Sequence, residues 1–240
     1  MSIQVPYGLE LTEDCKKCTD RKDGFFCQLP CTSFQALSDA KSTSSYPAGA
    51  ILFVEGQLPR GVYMLCKGRV KMTMTAADGK SIILNISEPG ELLGLNAVIS
   101  NTPYDVTVEA LQPCQINFVR REDFLRILKQ DNGIAFATLH QISNSLHGAC
   151  NEIRYLGLSR TAAEKVARFL LESATKGQDT TLGKRFNLAL THEEISQIVG
   201  ISRETVTRTL TQFKTRALIA MKGSTVVIRN ESGLRALVAA

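Results

Sequence analysis

The sequence lacks an apolar run long enough to cross a bilayer, and its first residues lack the charged start and apolar core of a secretion signal. We therefore expect a cytoplasmic protein that has no membrane partner. Histidine is scarce, and no nucleophile motif, phosphate-binding glycine loop or pair of catalytic carboxylates is recognisable. The sequence accordingly predicts a protein that is not an enzyme.

Excess positive charge is missing from the first two thirds of the chain. The formal net charge is +5, but residues 158–240 contain thirteen Lys and Arg against seven Asp and Glu. The preceding residues therefore carry a net charge of −1. An excess of positive charge confined to one end is typical of a protein that binds a polyanion there.

Two short helices joined by a tight turn are predicted at 190–216. Thr191 and Glu194 have the spacing of a capping box. Gly200 can end the first helix, and Ser202 can cap the second. This pattern predicts a helix-turn-helix, whose second helix enters the major groove of DNA. The predicted DNA-binding residues lie near the start of that helix and are Ser202, Arg203, Glu204, Thr207 and Arg208.

The side chains of this second helix suit base recognition. Arg can donate two hydrogen bonds to guanine, and Glu can accept one from cytosine. The alternative is an amphipathic helix pair with a solvated charged face, which is the usual explanation for a run of charges. A predicted hairpin at 218–228 follows as a wing and favours the DNA-binding interpretation.

Short strands separated by turns are predicted between Tyr46 and Phe124, which indicates a barrel or a sandwich. A short helix is expected at 34–41, and a polar loop at 175–185. Between the predicted strands and this loop, apolar residues recur at alternating spacings of four and three from Ala135 to Leu156. This heptad seam predicts a helix that pairs with a second copy of the chain, the alternative being packing on its own domain. The central seam residues are Leu139, Ile142, Leu146, Ala149 and Ile153.

Seven cysteines are present, an odd number that argues against a disulfide framework in a cytoplasmic protein. Four of them lie in the first 31 residues, which have too few aliphatic side chains to build a core. Thiolates at this density suit an iron–sulfur cluster or zinc. A closed zinc site of all four thiolates and a metal-free thiol switch are the alternatives. The four cysteines are Cys15, Cys18, Cys27 and Cys31.

The order of barrel, seam helix, helix-turn-helix and wing resembles the Crp–Fnr superfamily of bacterial transcription regulators. The resemblance rests on a glycine-punctuated barrel that includes Pro89-Gly90-Glu91-Leu92-Leu93-Gly94, and on the recognition segment at 202–208. It implies an α+β fold with an N-terminal cyclic-nucleotide-binding-type β-roll (jelly roll), a long dimerisation helix and a C-terminal winged helix-turn-helix. The implied domains are a cysteine-rich segment at 1–31, a sensor barrel at 32–130, the dimerisation helix at 131–157 and the DNA-binding domain at 158–240.

The resemblance also implies partners. They are a second copy of the chain, double-stranded DNA with a symmetric site, and RNA polymerase. The recognition segment resembles that of the cyclic-AMP receptor branch, in which an Arg, the following Glu and a later Arg read bases. Those positions are Arg203, Glu204 and Arg208 here, and they predict half-sites related to TGTGA.

A cyclic nucleotide is one signal that such a barrel could sense. Relatives that bind it carry Gly-Glu for the ribose and a later Arg-Ser pair for the phosphate. Gly90 and Glu91 are present, but Tyr104 and Asp105 take the later positions, and residues 96–119 contain no Lys or Arg. A buried phosphate without a cation is strongly disfavoured, so no cyclic nucleotide is expected.

A metal centre is the other candidate. The oxygen-sensing Fnr branch has an N-terminal cysteine cluster and a distant cysteine before the last barrel strand, where Cys114 stands here. The resemblance thus implies an iron–sulfur cluster of the four-iron type (4Fe-4S), with zinc as the alternative. Its implied ligands are Cys15, Cys18, Cys27 and Cys114, with Cys31 as an alternative ligand. The expected function is a homodimeric regulator that senses oxygen or redox state; the alternatives are a small-molecule effector in the barrel or an electron-transfer protein.

Overall fold

The computed structural model describes residues 6–12, 18, 27, 29, 31–158 and 161–239. The chain forms two compact units, Met1–Gly148 and Ala149–Ala240. Their boundary lies inside a long helix, α4 (Asn132–Leu158). Among the helices in the described ranges, none is long and apolar enough to cross a membrane.

The first unit contains eight strands and the first helices among its described residues. The strands are β1 (Lys41–Tyr46), β2 (Ile51–Phe53), β3 (Gly61–Lys67), β4 (Val70–Thr75), β5 (Ser81–Ser87), β6 (Leu92–Leu93), β7 (Thr107–Ala110) and β8 (Cys114–Arg120). The helices are α1 (Cys31–Ala40), α2 (Leu95–Ser100), α3 (Arg121–Gln130) and α4 (Asn132–Leu158), the last of which runs on into the second unit. One antiparallel sheet has the order β1-β8-β3-β6 and the other β2-β7-β4-β5, which confirms the predicted β-roll.

Strand β8 separates two apolar cores, because successive side chains of a strand point to opposite faces. Cys114 and Ile116 face a core that is built from both sheets. Val119 faces a second core on the outer side of its sheet, together with Leu37 of α1 and Phe124 of α3.

The short helix expected at 34–41 is present as α1, and strand β1 follows it directly. The helix α1 ends at Ala40, and Lys41 begins a strand that pairs with β8 from Lys41–Val119 to Tyr46–Cys114. Its sequence, KSTSSY, has no apolar alternation. An edge strand of this kind forms because the backbone of the neighbouring strand supplies hydrogen-bond partners. A local sequence pattern does not reveal this pairing.

The second unit surrounds one core. Its elements are α5 (Ala162–Ser173), β9 (Gln178–Thr180), β10 (Gly183–Asn187), α6 (His192–Val199), α7 (Arg203–Thr215), β11 (Ile219–Lys222), β12 (Thr225–Ile228) and α8 (Glu231–Ala239). The predicted hairpin is β11 and β12, but it belongs to a four-stranded sheet of order β11-β12-β10-β9. The loop expected at 175–185 was therefore wrong in part. Gly183, at φ +115°, lets β10 approach the backbone of Ile228 where a side chain would collide.

Candidate nucleic-acid interface

Helix α6 is fixed at both ends by its own sequence. The hydroxyl of Thr191 accepts a hydrogen bond from Glu194 N at 3.1 Å, and the Glu194 carboxylate accepts one from Thr191 N at 2.8 Å. The predicted capping box is therefore present. Gly200 ends the helix at φ 64°, a left-handed conformation that glycine adopts without steric cost.

Helix α7 begins at a second cap. Ser202 Oγ accepts a hydrogen bond from Thr205 N at 3.2 Å. Three turns of the helix contribute Val206, Leu210 and Phe213 to the core of the second unit, which also contains Ile195 of α6. These contacts fix α7 against α6, and the pair forms the helix-turn-helix that the sequence predicted.

The opposite face of α7 is exposed. Arg203, Glu204, Thr207 and Arg208 all lie on it, so the fold brings the predicted base-reading side chains together. The backbone amide of Glu204 itself lowers the pKa of its carboxyl, aided by the Ser202 hydroxyl and the Arg203 charge. The Glu204 side chain is therefore a carboxylate that can accept hydrogen bonds from a base.

One side-chain contact on this surface was missed by the sequence analysis. His192 Nδ1 lies 2.8 Å from Thr207 Oγ1, so a residue of α6 holds a residue of α7. The hydroxyl of Thr207 also donates to Arg203 O at 3.0 Å. No local spacing signals this pair, because it depends on the angle between the two helices.

Three of the four N-terminal cysteines lie within the described residues. Cys15 is outside them, Cys18 and Cys27 are half-buried free thiols, and Cys31 is the first residue of α1. No group of three or more His, Cys, Asp or Glu that could hold a metal ion occurs among the residues that the structure describes. The predicted ligand set therefore stays a prediction.

Cys114 lies in the core between the two sheets and is fully buried. Two backbone carbonyl oxygens, Gln112 O at 3.1 Å and Arg69 O at 3.4 Å, are within reach of its single thiol proton. Burial raises the pKa of the Cys114 thiol, which opposes the thiolate form that binds metals.

The described part of the N-terminal segment docks on the other face of β8. Gln115 is 1% exposed, and its Nε2 donates to Thr12 O at 2.7 Å while its Oε1 accepts from Thr12 N at 2.9 Å. Lys67, paired with Gln115 across the sheet, donates to Glu10 O at 2.9 Å. Since neighbouring side chains of a strand point to opposite faces, this segment and the Cys114 sulfur lie on opposite sides of the sheet.

Aromatic side chains fill the barrel interior around Tyr104. Tyr104 stacks on Phe53 with ring centroids 3.9 Å apart, and its hydroxyl donates to Gly61 O at 3.0 Å. Tyr63 contacts Phe53 in turn, at 5.2 Å. The Glu91 carboxylate accepts a hydrogen bond from Glu88 N at 3.2 Å, within its own turn.

Helix α4 carries large apolar side chains that other described residues leave exposed. Leu139, Leu146 and Ile153, at heptad spacing, are 63%, 65% and 71% exposed. Ala149 is exposed as well, whereas Ile142 packs partly on the core of the first unit. An exposed apolar row of this kind marks a surface that another protein covers.

Known proteins share both parts of this architecture. Residues 43–131 match the cyclic nucleotide-binding domain, and residues 164–237 match the Crp-like helix-turn-helix domain. The cAMP-activated global transcriptional regulator CRP of Pasteurella multocida is 26% identical over 184 residues, which cover 76% of this chain and 88% of the relative. The CRP-like cAMP-activated global transcriptional regulator of Mycobacterium tuberculosis is 26% identical over 212 residues. These residues cover 88% of this chain and 94% of that relative.

A solved structure shares this architecture over most of its length. FixK2 from Bradyrhizobium japonicum matches with a TM-score of 0.72 and 26% identity, over 83% of this chain and 98% of that chain. The chain therefore combines a cyclic-nucleotide-binding-type domain with a Crp-like helix-turn-helix domain, and it is homologous to the DNA-binding transcription regulators of the Crp–Fnr family.

Proposed function

We propose that the protein is a homodimeric transcription regulator that binds a symmetric DNA site through α7. The observation that carries this proposal is the exposed set Arg203, Glu204 and Arg208 on a helix whose other face is locked into a core. In a dimer, two such helices read half-sites one helical turn of DNA apart. RNA polymerase is its second partner, and the protein acts in the cytoplasm without catalysing a reaction.

Selection from random duplex DNA tests this proposal. The expected product is a two-fold symmetric site with half-sites related to TGTGA, bound much more tightly than random DNA at the same salt concentration. Equal binding of all sequences, with no enriched site, would contradict the proposed function.

Homodimerisation is proposed from α4. The exposed row Leu139, Leu146 and Ile153 has the spacing by which two helices interlock, and a second copy of the chain presents the same row. A two-fold symmetric contact is self-complementary, which matches the symmetry of the proposed DNA site.

We further propose that the N-terminal cysteine segment is the sensory element and binds an iron–sulfur cluster, with zinc as the alternative. The docking of residues 10–12 on Gln115 and Lys67 supports a link to the barrel, because β8 leads through α3 into α4. A bound metal centre would supply ordering free energy and sensitivity to oxygen or redox state.

The burial of Cys114 argues against it as the fourth ligand, so we propose Cys31, the alternative ligand, in its place. Cys114 is buried on the far side of the sheet from the docked segment, and two backbone carbonyl oxygens already lie within reach of its thiol proton. Four sequence-local thiolates form a donor set that suits both iron–sulfur and zinc centres. These ligands are Cys15, Cys18, Cys27 and Cys31.

Metal content and the visible spectrum of protein purified without oxygen test this ligand set. Wild type is expected to be brown with bound iron and sulfide, and colourless with one zinc under the alternative. Cys31→Ser should lose the metal and Cys114→Ser should keep it. The reverse pattern would restore Cys114 as the ligand, and metal-free wild type would contradict the metal centre.

A cyclic nucleotide is not proposed as the effector, although relatives are named as cAMP-activated. Stacked rings of Tyr104 and Phe53 stand where the phosphate pair is expected, and residues 96–119 supply no cation. Titration calorimetry with cyclic AMP should show no binding at micromolar concentrations. A saturable one-to-one isotherm would contradict this expectation.

A further inference from the structure

Thr207 lies in the middle of the exposed face of α7. It stands one turn after Arg203 and directly before Arg208, so it lies on the same exposed face as the two arginines. Arginine and glutamate read bases through polar contacts, but a threonine can use either its hydroxyl or its methyl group.

The hydroxyl of Thr207 is engaged within the protein. It donates its proton to Arg203 O at 3.0 Å, and His192 Nδ1 lies 2.8 Å from the same oxygen. Because the hydroxyl has only one proton, the second bond requires a proton on Nδ1 of His192. Two bonds from different helices hold the side chain in one rotamer, with its oxygen turned towards the protein.

Because its hydroxyl is engaged, Thr207 can contact a base edge through its methyl group. Thymine alone among the DNA bases presents a methyl group in the major groove. We propose that Thr207 reads one thymine in each half-site by methyl–methyl contact, and that His192 is the positioning residue that fixes this orientation. The proposal rests on the proposed function, because it requires α7 to enter the major groove.

Replacing thymine by deoxyuridine tests the contact on the DNA side, since it removes only the C5-methyl group. In the selected site, each thymine is replaced in turn and the dissociation constant is measured. One position per half-site should stand out with a loss of about fourfold, which corresponds to ~0.8 kcal/mol for one buried methyl group. Replacement in both half-sites should cost about sixteenfold, because distant sites are additive.

Protein variants test the same contact from the other side. Thr207→Ser keeps the hydroxyl and removes the methyl, so it should bind the thymine and deoxyuridine sites equally. Thr207→Val keeps a methyl and should retain the preference. Thr215→Ser, the same change at the far end of α7, should leave the wild-type ratio intact as the matched control.

The role of His192 is tested by the same ratio. His192→Ala should bring the thymine-to-deoxyuridine ratio towards one, and His192→Asn, whose amide N–H can replace Nδ1–H, should restore it. A histidine that contacted only phosphate would change affinity and leave this ratio unchanged.

Two results would overturn the inference while the proposed function stood. One is a specific site in which every deoxyuridine substitution changes binding by less than about twofold. The other is a Thr207→Ser protein with the wild-type ratio. An unchanged ratio in His192→Ala would refute its positioning role, whereas the absence of any specific site would refute the proposed function itself.

Discussion

Single residues determine how the barrel interior is filled. Tyr63 is 9% exposed, and desolvation by burial, reinforced by Tyr104 and Tyr46, raises its pKa to about 12. Burial also raises the pKa of Tyr104, whose ring stacks on Phe53. These tyrosines pack as neutral side chains, and the nearby charge of Arg60 only partly opposes the rise in their pKa.

The tyrosine pKa predicts a stability loss at alkaline pH. The folded pKa of Tyr63 lies above its unfolded value of 10.0, so stability is complete below pH 10.0 and falls as pH rises towards about 12. Thermal melting across this range should show a smaller loss for Tyr63→Phe than for wild type. Tyr7→Phe, at a half-exposed position, is the control and should behave as wild type. Equal losses in all three proteins would refute the assignment.

Local spacing predicted some site residues and not others. Arg203, Glu204 and Arg208 were predictable because helix geometry alone places them on one face, opposite Val206 and Leu210. Contacts between elements carry no such signal. The side of the sheet that Cys114 faces depends on the register of β8. The resemblance that implied Cys114 as a ligand gave its position in the sequence but not the side of the sheet on which it lies.

At the scale of elements, those with strong local signals were predicted well. The ends of α6 and the start of α7 are predictable from a capping box, a left-handed glycine and a serine cap. All of these signals lie within a short stretch of sequence. Strands β1 and β9 have polar sequences and form by pairing with β8 and β10. Their ladders are tertiary, so alternation of apolar residues could not reveal them.

The cap of the recognition helix should contribute measurably to stability. Ser202→Ala removes the acceptor for Thr205 N and should lower the free energy of unfolding by about 1 kcal/mol. Urea denaturation of the full chain measures this loss. Ser224→Ala, at an exposed position in the β11–β12 turn, is the matched control and should change stability by less than about 0.5 kcal/mol. Equal stability of the two variants would argue against the cap.

At the scale of the whole molecule, the order of a barrel, a long helix and a winged helix-turn-helix was predictable from sequence. The exposed row on α4 supports the proposal that this helix pairs with a second copy of the chain. Without such a contact, the apolar side chains of Leu139, Leu146 and Ile153 stay in water. Burying them in an interface is favourable by ~25 cal/mol per Å² of apolar area.

Placing a charge in that row should disrupt the dimer. Leu146→Glu puts two carboxylates at the seam and should give monomers that bind the symmetric site poorly. Asn144→Glu, on the opposite side of the helix, is the control and should remain dimeric. Light scattering at micromolar concentration measures the difference. A wild type that is monomeric in both reduced and oxidised forms would contradict dimerisation through α4.

Site selectivity of Arg208→Ala tests the central claim most directly. Wild type and variant are compared on the selected site and on sites with each base pair changed, alongside Lys222→Ala at the exposed end of β11. Arg208→Ala should lose ~1–3 kcal/mol of binding free energy and its preference at one base pair. Lys222→Ala should weaken all sequences alike and reduce the salt dependence. An Arg208→Ala protein with unchanged selectivity would contradict base recognition through α7.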